Sequence, residues 1–379
     1  MSARSSNGPG IATRVFGSQW FVSVLAVLIA FVIGAILIAL SGASVVDAYY
    51  AMFRGSIVDP NAANAVRMIK PLTDSLFYSI PLIISGLGLA LGFRAGLFNI
   101  GGKGQIIVGA LAAVWVGFAV SLPPVVHTLV ALLVAVIAGG LYGGIAGVLK
   151  AKTGANEVIV TIMLNAIATL GLGYTLAQKA WQVPGTNQPV TPKVADSAAF
   201  ARLLPAPFKL HVGFLVALVA LVAFWWLIER STLGFQIRAV GANAAAARTA
   251  GISVERITAI TMVLSGAFLG LAGANEALGT IGYVSRDVAG SIGFDAITVA
   301  LLGRNKTWGT FGAGLLFGAF KAGGYTMQAK GVPIDMILIL QSVIVLLIAA
   351  PALVRWLFRL PDVRALAANT RKGNADEHK

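Results

Sequence analysis

The 379-residue chain offers few side chains of the kind that make or break bonds. It has no cysteine, which excludes thiol catalysis, disulfides and Cys-based metal sites. Its three histidines, His127, His211 and His378, are scattered and form no ligand pattern. His127 and His211 fall near the ends of apolar runs and are expected at an interface. No paired acids and no nucleophile–base arrangement stand out. The phosphate-loop pattern G-x-x-x-x-G-K-[ST] is absent, so no ATP-hydrolysing site is expected in this chain.

The polar residues that remain collect in four stretches. The first is Ser231 to Arg256, a basic, Gly- and Ala-rich island between two uncharged apolar runs. Asn243 is placed to cap a short helix through Ala244–Ala250, and Gly251 to stop it. Arg238, Arg248 and Arg256 make the island positive. It reads either as an ordinary cytoplasmic loop or as a docking element for a soluble partner. The second stretch, Gly92 to Gln105, carries five glycines with Asn99 and Gln105. It reads as a tight turn or as a break in helical structure, whose freed backbone groups need protein or water around them. The third runs from Asn156 to Asn165. Glu157, Thr161 and Asn165 recur every four residues and share one helical face. Glu157 suits a helix N-terminus, and the stripe suits a pathway or a packing core. The fourth, Asn275 to Asp295, holds Glu276, Arg286, Asp287 and Asp295, with aromatic Phe294 and Tyr283.

The elements that must position these residues are apolar. The chain is 58% hydrophobic and 11% charged, with a mean hydropathy of +0.86. Several runs reach the roughly 20 residues that cross a bilayer. The composition predicts an all-α polytopic membrane protein with about ten spans: 20–40, 71–92, 104–121, 125–149, 157–178, 211–229, 257–275, 289–303, 309–328 and 333–354. The run 289–303 is short and carries Asp295, which suggests a partial or broken helix. The formal net charge of +14 follows membrane orientation, not nucleic acid. About twice as many Lys and Arg fall on one side of the spans as on the other, giving N-in, C-in. Residues 1–19 read as a cytoplasmic tail, 20–360 as the transmembrane domain and 361–379 as a polar cytoplasmic tail. External loops are expected at 41–70, with an amphipathic stretch Val46–Phe53, and at 179–210, which is proline-rich and open to a partner. Five spans on each side of the second loop give two inverted five-helix halves, with a pathway between them.

The island G-F-Q-I-R-A-V-G-A-N-x-x-A-A-R-x-A-G-I resembles the cytoplasmic coupling loop of ABC importer permeases of the ribose/branched-chain amino acid/nucleoside class. Gly234, Arg238, Gly241, Asn243, Ala246, Gly251 and Ile252 carry that resemblance. Phe98, Asn99, Ile100, Gly101, Gly104 and Gln105 match the F-N-I-G-x-E-G-Q motif of the nucleoside-type (guanosine/uridine) branch, with Lys103 where that branch commonly has Glu. Residues 156–165 are similar to its N-E-V-x-x-T-I-M-L-N run. Gly290 to Gly303 resembles G-x-G-F-x-x-I-x-V-A-L-L-G. The resemblance extends over about residues 45–360.

The resemblance implies the membrane subunit of an ATP-driven importer in the bacterial plasma membrane, for nucleosides, or alternatively for ribose-like sugars or branched-chain amino acids. It implies an ABC ATP-binding subunit that holds ATP and Mg, a second permease subunit and an extracytoplasmic substrate-binding protein. The coupling residues would be Gly234, Arg238, Gly241, Asn243, Ala246, Arg248 and Gly251. The pathway candidates are Asn99, Gln105, Glu157, Thr161, Asn165, Glu276, Phe294 and Asp295. A stand-alone secondary transporter is the reading from another class. It would need intramembrane ionisable groups for ion coupling, and Glu157, Glu276, Asp295 and Lys321 are the candidates.

Overall fold

The structure, a computed structural model, describes residues 19–349 apart from Lys330 and Ile334, together with Val354 and Phe358. The expected N-tail up to residue 18 and the C-tail 361–379 lie outside the described residues, as does most of the expected tenth span beyond Ala349. Among the described residues the secondary structure is helical, apart from an isolated bridge between Arg202 and His211.

The helices are α1 (Gln19–Leu40), α2 (Val45–Ser56), α3 (Ala65–Arg94), α4 (Gly102–Ala119), α5 (Pro124–Thr153), α6 (Glu157–Ala177) and α7 (Gly213–Trp225), followed by α8 (Thr232–Ala242), α9 (Ala244–Thr249), α10 (Val254–Asn275), α11 (Ile292–Leu302), α12 (Thr307–Gln328) and α13 (Asp335–Ala349). Helices α7 and α10 each run on into a π-helical turn, Trp226–Arg230 and Glu276–Thr280. Each of the ten apolar runs read from the sequence contains one helix. Among the described residues, six segments are long and apolar enough to cross a membrane: Ala65–Arg94, Gly102–Ala119, Pro124–Thr153, Glu157–Ala177, Gly213–Arg230 and Val254–Thr280. Val24–Leu40 and Ile292–Leu302 are shorter apolar helices. Helix α3 starts at Ala65, not at 71, because Asn64 caps it: its side-chain oxygen accepts from the Arg67 N–H at 2.9 Å.

The chain forms two compact units. One comprises residues 1–49 and 327–379. Here α1 packs on α13, and the Tyr49 hydroxyl donates to the Phe31 carbonyl. The larger unit is Tyr50–Thr326, and α10 is its central element, packed on α3, α4 and α5. Without a hydrophobic drive between helices in lipid, such packing depends on close backbone approach over small residues. Helices α5 and α10 meet antiparallel, with Ala135 and Gly139 against Gly270, Gly139 against Gly266, and Gly143 against Met262. A Cβ on Gly139 would lie 2.5 Å from the Gly266 carbonyl oxygen, so the two backbones touch.

The segment 179–210 is more closely tied than its sequence suggests. It has little helix, but its backbone bonds to the helix ends beneath it. Thr191 and Val194 N–H donate to Val284 and Gly282 carbonyls at 3.0 Å, Ala195 N–H to Gly117 at 2.8 Å and Phe200 N–H to Leu278 at 3.0 Å. His127 and His211, expected at an interface, are both buried. His127 Nδ1 lies 2.8 Å from Ser197 Oγ and Nε2 lies 3.0 Å from the Val116 carbonyl. His211 Nδ1 accepts from the Gly213 N–H at 3.1 Å, which fixes the ring at the start of α7.

The α5–α10 contact yields a direct test. Gly266→Val places methyl groups where the Gly139 backbone stands, whereas Gly171 has nothing within 4 Å of an added Cβ. Gly266→Val is expected to cost at least about 2 kcal/mol, read as a clear drop in thermal unfolding temperature in detergent. Gly171→Val should leave that temperature close to wild type.

Candidate functional site

The break between α3 and α4 is the first part of the site. Helix α3 ends at Arg94, and Gly96 at φ +73° turns the chain back. Leu97 N–H bonds to the Gly92 carbonyl at 2.9 Å and Gly96 N–H to Phe93 at 3.1 Å, the paired bonds of a Schellman stop. Phe98 to Gly101 then run non-helical beside α6. Backbone of this kind within an apolar layer must find partners in protein. Helix α6 supplies them in order. Glu157 Oε1 accepts from Phe98 N–H at 3.4 Å, Thr161 Oγ1 from Ile100 N–H at 3.2 Å and Asn165 Oδ1 from Gly104 N–H at 2.7 Å. Asn165 Nδ2 donates to the Ile100 carbonyl at 2.8 Å. The Lys150 ammonium holds the other Glu157 oxygen at 2.6 Å. The stripe and the Gly-rich stretch, read separately in the sequence, are thus one structure.

On the other side of the break, Asn99 and Gln105 are both 1% exposed. Asn99 Nδ2 donates to Gln105 Oε1 and to Ser265 Oγ, each at 3.0 Å, and Asn99 Oδ1 accepts from Gly101 N–H at 2.9 Å. The network therefore joins the break to the middle of α10. Ser265 was not singled out from the sequence; its only signal was a small polar residue inside an apolar helix.

Helices α4 and α11 meet at their N-termini. The Cβ position of Gly293 is 2.5 Å from the Lys103 backbone nitrogen, and that of Gly102 is 3.2 Å from the Gly293 carbonyl. Lys103 is half-buried at this junction. Phe294, 56% exposed, and Asp295 stand in the first turn of α11, and Ser291 Oγ donates to Asp295 Oδ2 at 2.6 Å. Glu276 is buried in the π-helical end of α10 and accepts from Thr280 Oγ1 at 3.1 Å. The candidates thus fall into two groups: Asn99, Gln105, Glu157, Thr161 and Asn165 around the break, and Glu276, Phe294 and Asp295 around the α10 and α11 ends.

The basic island folds as two helices at an angle, not as one short helix in a loop. Ser231 caps α8, accepting from Gly234 N–H at 2.9 Å. Asn243 ends α8 and caps α9, accepting from Ala246 N–H at 3.0 Å. Helix α9 closes at Thr249, and Gly251 at φ +82° forms the stop, with Ile252 N–H on the Ala247 carbonyl at 3.0 Å. Helix α8 is fixed at both ends by backbone contact. A Cβ on Gly234 would fall on the Leu227 carbonyl, and one on Gly241 on the Arg94 carbonyl. Arg94 Nε donates to the Asn305 carbonyl at 2.7 Å, so α8 bears on the same point where α3 ends and the break begins.

Between α8 and α9 lies a groove of about 560 Å³ lined by Phe235, Gln236, Ala239, Ala242, Ala246 and Ala250, among others. Phe235 is 60% exposed. Arg248 is exposed, and Arg238 is half-buried with Nη1 unpartnered. The concavity is lined mainly by apolar side chains, with Thr232, Gln236 and Asn243 as its polar members, which suits a protruding partner surface. Sequence reading marked the arginines and the caps but passed over Phe235 and Gln236, which appeared only as filler within the motif.

These features define a helical membrane component with a groove between α8 and α9 and a break in helical structure between α3 and α4. The sequence model described as branched-chain amino acid transport system / permease component matches residues 72–349. The chain therefore belongs to this permease family and is a multi-pass membrane protein. It is 39% identical to the guanosine ABC transporter permease protein of Bacillus subtilis, over 89% of this chain and 95% of that one. It is 35% identical to the glucose ABC transporter permease protein of Haloferax volcanii, over 85% of each, and 32% identical to a nucleoside ABC transporter permease protein of Lactococcus lactis, over 92% and 95%. No solved structure is significantly similar to the chain.

The clamp on the break can be tested through Asn165. Asn165→Leu strips a partner from Gly104 N–H and from the Ile100 carbonyl, at about 1–3 kcal/mol for each group left bare. The expected result is a lower unfolding temperature and faster maleimide labelling of a Phe98→Cys reporter, which is unique because the chain has no cysteine. Unchanged labelling would mean that the stripe does not hold the break.

Proposed function

We propose that this chain is the membrane subunit of an ATP-driven importer of nucleosides. The reading rests chiefly on the 39% identity to a guanosine permease across nearly the full length of both chains. It is supported by the largely apolar groove between α8 and α9. In this reading the chain crosses the bacterial plasma membrane ten times, N-in and C-in, as two inverted five-helix halves. A separate ATP-binding subunit holds ATP and Mg and docks into the groove. An extracytoplasmic binding protein delivers the solute to the outer face, and a second permease subunit completes the pathway. The chain itself hydrolyses nothing.

The coupling residues have distinct tasks. Asn243, Gly251 and Ala246 set the length and angle of α9. Gly234 and Gly241 let α8 lie flat on the ends of α7 and α3. Arg238 and Arg248 meet acids of the ATPase. Closure of the ATPases displaces α8, and the displacement reaches the break through Arg94. From there Asn99, Gln105 and the Glu157–Thr161–Asn165 stripe carry it to the pathway side of α4 and α10, where Glu276, Phe294 and Asp295 stand. A sugar is the second reading, favoured by the 35% identity to a glucose permease.

Gly241→Trp removes the seat of α8 on the end of α3. It is expected to abolish solute-stimulated ATPase activity of the co-purified complex while membrane insertion stays normal. Wild-type stimulated activity in an inserted Gly241→Trp protein would refute coupling through α8, and failure of any ATPase to co-purify with the wild-type chain would favour a stand-alone transporter.

A further inference from the structure

The turn between α11 and α12, residues 303–306, is built on a strained backbone. Asn305 N–H bonds to the Ala300 carbonyl and Arg304 N–H to the Leu301 carbonyl, each at 2.9 Å. The same paired bonds stop α3 at Gly96 and α9 at Gly251. There the left-handed residue is glycine. Here Arg304 and Asn305 both stand at φ +55°, a conformation that costs free energy for any residue with a Cβ. The turn is also tight: a Cβ on Gly303 would lie 2.3 Å from the Thr310 backbone nitrogen. Asn305 Oδ1, Thr307 Oγ1 and Thr310 Oγ1 are buried and find no hydrogen-bond partner among the described residues. Strain and unmet polar groups persist only where surrounding structure holds them.

Arg94, at the end of α3, supplies that hold. Its Nε donates to the Asn305 carbonyl at 2.7 Å. Its Nη2 stands 3.8 Å from Glu229 Oε1, beyond hydrogen-bond reach. Arg94 thus has one partner engaged and a second, charged one close by. Helix α8 touches both sides of this choice. Its start is locked to the end of α7 that carries Glu229, since a Cβ on Gly234 would lie 2.0 Å from the Leu227 carbonyl oxygen. Its end bears on Arg94, since a Cβ on Gly241 would lie 2.0 Å from the Arg94 carbonyl oxygen. A shift of α8 therefore alters the spacing of Arg94 and Glu229 directly.

We propose that Arg94 is an exchange latch. In the structure it holds the α11–α12 turn through Asn305; when α8 is displaced, its guanidinium passes to Glu229 and lets the turn go. A carboxylate binds guanidinium more strongly than a carbonyl does, and the exchange needs an approach of only about 1 Å. Lys306 in the turn is exposed, so water can take up the freed carbonyl. The relaxing turn then frees α11, which carries Phe294 and Asp295. Arg94 and Glu229 act here as positioning residues, on a route from α8 to α11 that does not run through the break at 95–101. The latch rests on the reading of an ATP-driven importer above.

The test uses the purified complex of this chain with its ATPase. A pair at 3.8 Å with an exposed carboxylate adds little to stability, so Glu229→Gln should assemble and unfold as wild type does. Its guanosine-stimulated ATPase rate is expected to fall at least about tenfold, the effect of losing a hydrogen bond between charged groups. Thr307→Cys places a thiol in the turn at a position 3% exposed, in a chain with no other cysteine. Maleimide labelling of that thiol should rise when a non-hydrolysable ATP analogue traps the closed complex, and Glu229→Gln should abolish the rise. Asn305→Gly keeps the carbonyl that Arg94 holds and suits a positive φ. It should steady the held turn, so the stimulated rate falls several-fold while the unfolding temperature does not fall. Wild-type stimulation in Glu229→Gln, or labelling of Thr307→Cys that rises equally with Glu229 and with Gln in its place, would overturn the latch and leave the importer reading intact. Absence of guanosine stimulation in the wild-type complex would overturn the nucleoside reading, and the labelling then decides the latch. Failure of any ATPase to co-purify would overturn the importer reading and the latch with it.

Discussion

Unpaired backbone is not tolerated in an apolar layer, and this chain leaves helical geometry at residues 95–101. The rest of the larger unit is arranged around meeting that demand. Helix α6 presents Glu157, Thr161 and Asn165 at successive turns because the loop beside it presents amides and a carbonyl at matching depths. On the opposite side Asn99 closes on itself through Gln105 and reaches Ser265 of α10. A chain segment satisfied from both sides moves only with its partners, so α4, α6 and α10 are mechanically one body at this level.

The glycine contacts set how that body can move. Helices α4, α5 and α10 touch through backbone at Gly109, Gly139, Gly266 and Gly270. Such faces leave no room for a side chain. At the other end of α3 the contact of Gly241 on Arg94 is equally close. Force applied to α8 therefore meets α3 at the residue where the break starts. The groove between α8 and α9, the break and the α4–α11 junction lie along one continuous set of contacts.

Much of this was legible in the sequence where a local rule was at work. Asn243 and Gly251 announced a capped, stopped helix, and that helix exists one residue shorter than expected. The ten apolar runs announced helices, and each run contains one. The four-residue spacing of Glu157, Thr161 and Asn165 announced a shared face. What the sequence withheld was pairing across distance. Nothing local says that this face meets residues 98–104, that Ser265 completes the network, or that His127 anchors Ser197. The proline-rich segment 179–210 read as an open loop because its order comes from backbone bonds to other segments, which leave no periodic trace.

The central claim is ATP-driven import of nucleosides through this chain. The most direct test is uptake of labelled guanosine, uridine, ribose and glucose in cells with and without the gene, each with an ATP-depleted control. Loss of ATP-dependent guanosine and uridine uptake on deletion, with the sugars unaffected, is the predicted result. Loss of sugar uptake alone, or nucleoside uptake that persists unchanged without the gene, would contradict it.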